Sequence, residues 1–109
     1  MAEAPTSCKQ AFDMMPSRFN PEASKGLNAV YQFDLAGDSG GKWYVTIANE
    51  QCEVKEGSHS SPNITISMTG QDYLDLVNGK LNGQMAFMTG KLRIAGDMGL
   101  ALKMQSLFS

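Results

Sequence analysis

The hydrophobic pattern changes period twice along the chain. Near the start, Ala11, Phe12, Met14 and Met15 recur at helical spacing behind Thr6 and Ser7, either of which can act as N-cap. Pro16 is expected to end this helix, because proline disfavours a helical residue before it. "NPEASKG" predicts a second, short helix, with Asn20 as cap, Pro21 in the first position and Gly26 closing it. The period then becomes two. Ala29, Tyr31, Phe33 and Leu35 share one face, opposite Gln32 and Asp34. Trp43, Val45 and Ile47 repeat the pattern, Cys52 and Val54 alternate with Glu53 and Lys55, and Ile64, Ile66 and Met68 alternate with Thr65 and Ser67. Short turns join the first three of these four strands, so mostly antiparallel pairing is expected.

Helical spacing returns in "TGQDYLDLVNG". Thr69 caps, Asp72 holds the capping-box position, Asn78–Gly79 stops the helix, and Tyr73, Leu74, Leu76 and Val77 form its apolar side. "NGQMAFMTG" predicts one or two turns capped by Asn82. "KLRIAG" predicts a fifth strand with Leu92 and Ile94 inward and Lys91 and Arg93 outward, and Asp97 begins a last helix. At 109 residues this is one domain, 1–109. The predicted class is α+β: a five-stranded, mostly antiparallel sheet with one face covered by helices and the other in solvent.

The last helix has too many apolar faces. Leu100, Met104, Leu107 and Phe108 follow one helical stripe, and Met98, Ala101, Leu102 and Gln105 follow its neighbour; only Lys103 and Ser106 suit water. Such a helix is buried, docked on a partner, or set against an apolar cavity. A domain of this length has too few layers to surround it, which leaves a dimer seam or a cavity, level on physical grounds. An empty cavity on the order of 300 Å³, the small end of ligand pockets, costs about 7 kcal/mol. Total stability is only about 5–15 kcal/mol. A lasting cavity is therefore filled, partly collapsed or open at one end. A lipid chain is a suitable filling, since each buried CH₂ contributes about 0.8 kcal/mol.

Composition narrows the function. The net charge of −2, with signs alternating along the chain, lacks the basic footprint that nucleic acid requires. Seven internal methionines supply pliable apolar surface suited to a variable ligand, although ordinary core filling accounts for them too. Cys8 and Cys52 have no metal-type spacing; the sequence leaves open either two free thiols, as in a reducing compartment, or one disulfide. With no leading apolar segment and no run near the ~18 residues of a membrane span, a cytoplasmic protein is expected. His59, the one histidine, lies in the polar loop "GSHSSPN" beside Ser58, Ser60 and Ser61, without a third group to orient a nucleophilic pair. "GDSGGK" and "MTGK" fail the spacing of a phosphate-binding loop. No catalytic residue, metal ligand or cofactor site is expected.

The segment "MTGKLRIAGDMGLALKMQ" resembles the C-terminal part of the sterol carrier protein-2 family, and the likeness extends through "GKLNGQMAFMTG", "ISMTGQDYLDLVNGK", "YQFDLAG" and "KWYVTIAN". The leading "AFDMMPSRFNPEASKG" is similar to the same family. The resemblance implies an apolar tunnel between sheet and helices and non-enzymatic binding or transfer of fatty acid, fatty acyl-CoA or sterol-like ligands. It implies modules that occur free or attached to enzymes of lipid oxidation, with a lipid-metabolising enzyme or a transient membrane surface as further partners. A monomer is expected; the alternative is an interaction or homodimerising module whose last helix docks on a partner. The ending Leu107-Phe108-Ser109 lacks the Ser-Lys-Leu-type tripeptide of peroxisomal members. Apolar phase and the family's topology together place the ligand wall at Met68, Tyr73, Leu76 and Val77, at Phe87 and Met88, and at Leu100, Met104, Leu107 and Phe108, with Gln105 near the ligand's polar end.

Overall fold

The computed structural model describes residues 5–38 and 40–107, apart from the side chain of Gln105. Five strands, β1 (Ala29–Ala36), β2 (Gly41–Ala48), β3 (Gln51–Glu56), β4 (Ile64–Thr69) and β5 (Arg93–Gly96), form one sheet in the order β3-β2-β1-β4-β5. Three neighbouring pairs are antiparallel, and β1 with β4 is parallel. The helices α1 (Cys8–Arg18), α2 (Gly70–Val77), α3 (Gly83–Met88) and α4 (Met98–Leu107) complete the domain, with a 3₁₀ turn at Glu22–Ser24.

Alternation builds the covered face. Ala29, Tyr31, Phe33, Leu35, Trp43, Val45, Ile47, Ile64, Ile66 and Met68 are all buried in one core. The caps act locally as the sequence predicts. Ser7 Oγ accepts from the Gln10 amide at 3.1 Å, Thr69 Oγ1 from the Asp72 amide at 3.0 Å, and Asn82 Oδ1 from the Met85 amide at 3.1 Å. One expectation is corrected: α1 does not stop before Pro16 but runs to Arg18. Pro16 is exposed in the last turn, where it removes one amide donor, while the preceding Met15 is held in the core.

Phe12 of α1 is the centre of the core. Its ring stacks on Trp43 at 4.7 Å and on Tyr73 at 5.0 Å, so it lies between the sheet and α2. Phe33 meets the edges of Phe12 and Tyr73 at 5.2 and 5.7 Å. Trp43 in turn lies against Gly41, where a Cβ would come within 2.8 Å of the indole. With φ at +155°, that position needs glycine for its backbone as well.

The outer face is not wholly open. Because β4 pairs with β1 rather than with β3, residues 57–63 must cross β2 and β1 to reach it. Gln32, on the outer side of β1, anchors the crossing. Its Nε2 donates to the Gly57 and Trp43 carbonyls, at 3.1 and 3.3 Å, and its Oε1 accepts from the His59 amide at 2.8 Å. Only 4% of Gln32 is exposed.

Replacing Phe12 by Ala removes the ring that three others share. The expected loss is about 3–5 kcal/mol, read in urea unfolding as a lower midpoint at unchanged slope.

Candidate functional site

Between the inner face of the sheet and the helices lies a cavity of about 720 Å³. Phe33 of β1 and Ile66 and Met68 of β4 form its sheet side, continued by Leu92 and Ile94. Helix α1 contributes Ala11, Met15 and Arg18, and α2 contributes Tyr73, Leu76 and Val77 at helical spacing. Gly83, Gln84 and Phe87 of α3 and Met98, Ala101, Leu102 and Met104 of α4 close the ring. Phe87, Met98 and Leu102 are exposed as well as lining, so the cavity opens to water between α3 and α4.

Both faces of the last helix now have a neighbour. Leu107 is fully buried, and Leu100, Ala101 and Met104 pack against the core. Met98, Ala101 and Leu102 border the cavity, and Met104 belongs to both surfaces. Lys103 and Ser106 are exposed. Three contacts hold this wall. The Tyr31 hydroxyl donates to the Leu100 carbonyl at 2.8 Å, the Asn20 amide donates to the Leu107 carbonyl at 2.8 Å, and Asp97 Oδ1 accepts from the Gly99 amide at 2.9 Å. Burial, and then the nearby Asp97 carboxylate, push the Tyr31 hydroxyl up to about 12.

Of the residues expected at the ligand wall, the cavity brings together Met68, Tyr73, Leu76, Val77, Phe87 and Met104. Leu100 and Leu107 pack in the core instead, and Met88 is exposed outside the lining. The Gln105 side chain and Phe108 lie outside the described residues. The sequence reading missed the contribution of α1. Met15 carried a signal in its apolar phase, but Arg18, at the polar end of the helix, carried none.

Among the described residues Arg18 is the one charged residue of the lining, and no described carboxylate faces it there. Among the described residues it forms no ion pair. Tyr73 is 3% exposed, and its hydroxyl makes no hydrogen bond among the described residues. Burial raises its pKa well above the usual tyrosine range and the Cys8 thiol adds to this, while the Arg18 charge pulls it back. A mostly apolar chamber with one free guanidinium, one phenol and one amide can hold a chain and meet an anionic or hydrogen-bonding end.

The remaining chemistry-bearing residues lie elsewhere. Both cysteines are free thiols. Burial raises the pKa of Cys8, whose Sγ donates to the Gly70 carbonyl, and raises that of Cys52 to about 11. His59 Nδ1 accepts from the Ser61 amide at 3.0 Å, and the ring meets the edge of Tyr44, away from the cavity lining. Among the described residues, no group of three or more His, Cys, Asp or Glu could hold a metal ion. None of the described helices is long and apolar enough to cross a membrane.

Comparison with known proteins gives three consistent likenesses. The model of the SCP-2 sterol transfer family matches residues 9–109. Hydroxysteroid dehydrogenase-like protein 2 of Xenopus laevis is 37% identical over 100 residues, covering 91% of this chain and 24% of that protein. Its human counterpart is 33% identical over 102 residues, covering 93% of this chain and 24% of that protein. The chain thus spans about a quarter of the length of these curated relatives. Among solved structures, apo sterol carrier protein 2 from Yarrowia lipolytica superposes with a TM-score of 0.72 at 28% identity, over 94% of this chain and 97% of the other. Palmitated SCP2L2 from Aedes aegypti superposes with a TM-score of 0.72 at 26% identity, over 91% of each chain.

The Tyr31 contact predicts alkaline behaviour. In the folded chain its proton is held to about pH 12, whereas an unfolded tyrosine releases it near pH ~10. Above that lower value the unfolded state binds fewer protons, so this stabilisation is complete below about pH 10 and is lost as pH rises toward 12. Urea titrations across this window should show falling stability, with a shallower fall in Tyr31→Phe.

Proposed function

The chain belongs to the SCP-2 sterol transfer family, and from that premise we propose that it is a non-enzymatic lipid-binding and transfer domain that carries an acyl chain in the cavity between sheet and helices. The observation that carries this reading is the size and lining of that cavity. A sealed, empty void of 720 Å³ would cost about 17 kcal/mol at ~24 cal/mol per Å³, more than a domain of this kind has to lose. The cavity is open at Phe87, Met98 and Leu102, and an apolar guest that displaces water there gains about 0.8 kcal/mol per buried CH₂. Met15, Met68 and Met104 line it with flexible side chains that adapt to guests of different shape.

We assign the acyl-chain contacts to Met68, Tyr73, Leu76, Val77, Phe87 and Met104. A carboxylate end is matched by Arg18 and the Tyr73 hydroxyl, which favours a free fatty acid over a neutral sterol. The palmitated Aedes aegypti relative supports a linear acyl guest. The dehydrogenase-like relatives support a second context, in which the domain is the accessory part of a larger lipid-oxidising protein and holds substrate near its catalytic domain. That context uses the same cavity. A homodimer seam at α4 is the competing reading.

Native mass spectrometry of gently purified protein should give a monomer with added lipid mass. A ligand-free dimer that takes up no fluorescent fatty acid would exclude the proposal. Met104→Trp should fill the cavity and weaken acyl binding while the fold is kept; unchanged affinity would remove Met104 from the wall. Arg18→Gln should weaken fatty-acid binding about 10- to 100-fold, as expected for losing a charge-assisted hydrogen bond, and leave binding of the methyl ester nearly unchanged.

A further inference from the structure

The seven internal methionines differ in what they meet. Met15 and Met68, each 6% exposed, and the half-buried Met104 line the cavity from within. Met85 and Met88, 57% and 73% exposed, lie on α3 outside the lining, and the half-buried Met14 of α1 is outside it too. Among the described residues, Met98 is the one methionine with both properties: it is 46% exposed and it lines the cavity. Its chain neighbours Gly96, Asp97 and Gly99 are exposed as well, so a small solute in water can approach its thioether.

A thioether needs no deprotonation to react with a peroxide. The two thiols compete poorly for the same oxidant. A cysteine reacts as its thiolate, and burial pushes the pKa of Cys8 up and that of Cys52 up to about 11. In the reaction with hydrogen peroxide, sulfur attacks one peroxide oxygen, the O–O bond breaks and an S–O bond forms. The leaving hydroxide takes the proton of the transferred oxygen and departs as water. Sulfur is oxidised by two electrons, and the peroxide is reduced by two. Methionine sulfoxide is polar where the thioether was apolar, and sulfoxide reductases reverse the change. Phe87 and Leu102, which share the mouth with Met98, have apolar side chains that offer the new oxygen no donor. The oxidised side chain therefore turns to water and leaves the guest. We propose that Met98 is a peroxide-modification site at the cavity mouth, and that its oxidation lowers the affinity of the cavity for its acyl guest.

The inference rests on the lipid-carrier reading. It also runs in the reverse direction. A bound chain covers the inward side of Met98, so the guest slows oxidation there, whereas Met85 and Met88 react alike with or without it. The site lets the carrier release its chain where peroxide accumulates and keep it where peroxide is scarce.

Graded hydrogen peroxide, followed by trypsin and mass spectrometry, tests the proposal, because cleavage after Lys55, Lys80, Lys91, Arg93 and Lys103 separates the methionines. Met98 falls alone in 94–103, Met85 and Met88 together in 81–91, Met68 alone in 56–80, and Met104 in 104–109. Peptides 81–91 and 94–103 should gain oxygen at peroxide levels that leave 56–80 unchanged. At that stage fluorescent fatty acid should bind about tenfold more weakly, as expected for a polar group set at an apolar contact. Sulfoxide reductases for both epimers should restore binding. Saturating fatty acid should slow oxygen uptake by 94–103 several-fold and leave that of 81–91 unchanged. Met98→Leu, whatever its own affinity, should keep that affinity through the same treatment, and the double variant Met85→Leu, Met88→Leu should lose affinity as the wild type does. If Met98→Leu does not fold, the order of oxidation and the protection by guest in the wild type decide. Oxidation of Met98 no sooner than Met68, unchanged affinity once 94–103 carries oxygen, or an equal loss in Met98→Leu would overturn the proposal. Fatty-acid uptake that is indifferent to peroxide sinks this inference alone, whereas no uptake before peroxide is added sinks the carrier reading and this inference with it.

Discussion

The stacking of Phe12 between Trp43 and Tyr73 is the constraint on which the arrangement depends. It holds α1 at a fixed distance from the sheet and α2 at a fixed distance from α1. Rings stacked 4.7 and 5.0 Å apart cannot approach further, so the helices cannot collapse onto the sheet beside them. Phe33 and Tyr73 belong both to this cluster and to the cavity lining. The rigid aromatic core is thus also one wall of the chamber, and helix α4, with Met98 and Met104, forms another. A small domain keeps a cavity when one side is too stiff to fill it and the other is open enough not to bear the cost of a void.

Helix α4 is fixed to the rest of the fold through two of its backbone carbonyls. Tyr31 reaches from the centre of the sheet to the Leu100 carbonyl, and Asn20 secures the Leu107 carbonyl at the far end. Between those points Ala101, Leu102 and Met104 line the cavity, and Met98 lines it one turn earlier. The wall is therefore anchored at both ends and greasy along its length. Such a wall can accept a guest without unfolding.

Much of this was legible in the sequence. Period-two alternation identified every strand and the inward face of each, because burial on one side of a sheet fixes side-chain phase. Caps at Ser7, Thr69 and Asn82 were readable because they are local chemistry. The extension of α1 through Pro16 was not, since the packing of Met15 overrides a local preference. The role of Gln32 was hidden because its partners at Gly57 and His59 are set by the crossover from β3 to β4, a matter of topology. Six of the expected wall residues fall on the lining because helical phase brings 73, 76 and 77 together. Met88, Leu100 and Leu107 fall elsewhere because hydrophobicity does not say which of several apolar surfaces a side chain meets.

The central claim is that an acyl chain occupies this chamber, and the methionines provide a direct reporter. Isotope-labelled fatty acid added to the methyl-labelled protein should give intermolecular nuclear Overhauser effects to Met15, Met68 and Met104, which line the cavity, and none to Met85, which is exposed outside it. Contacts confined to exposed methionines, or no contacts at saturating fatty acid, would contradict the account.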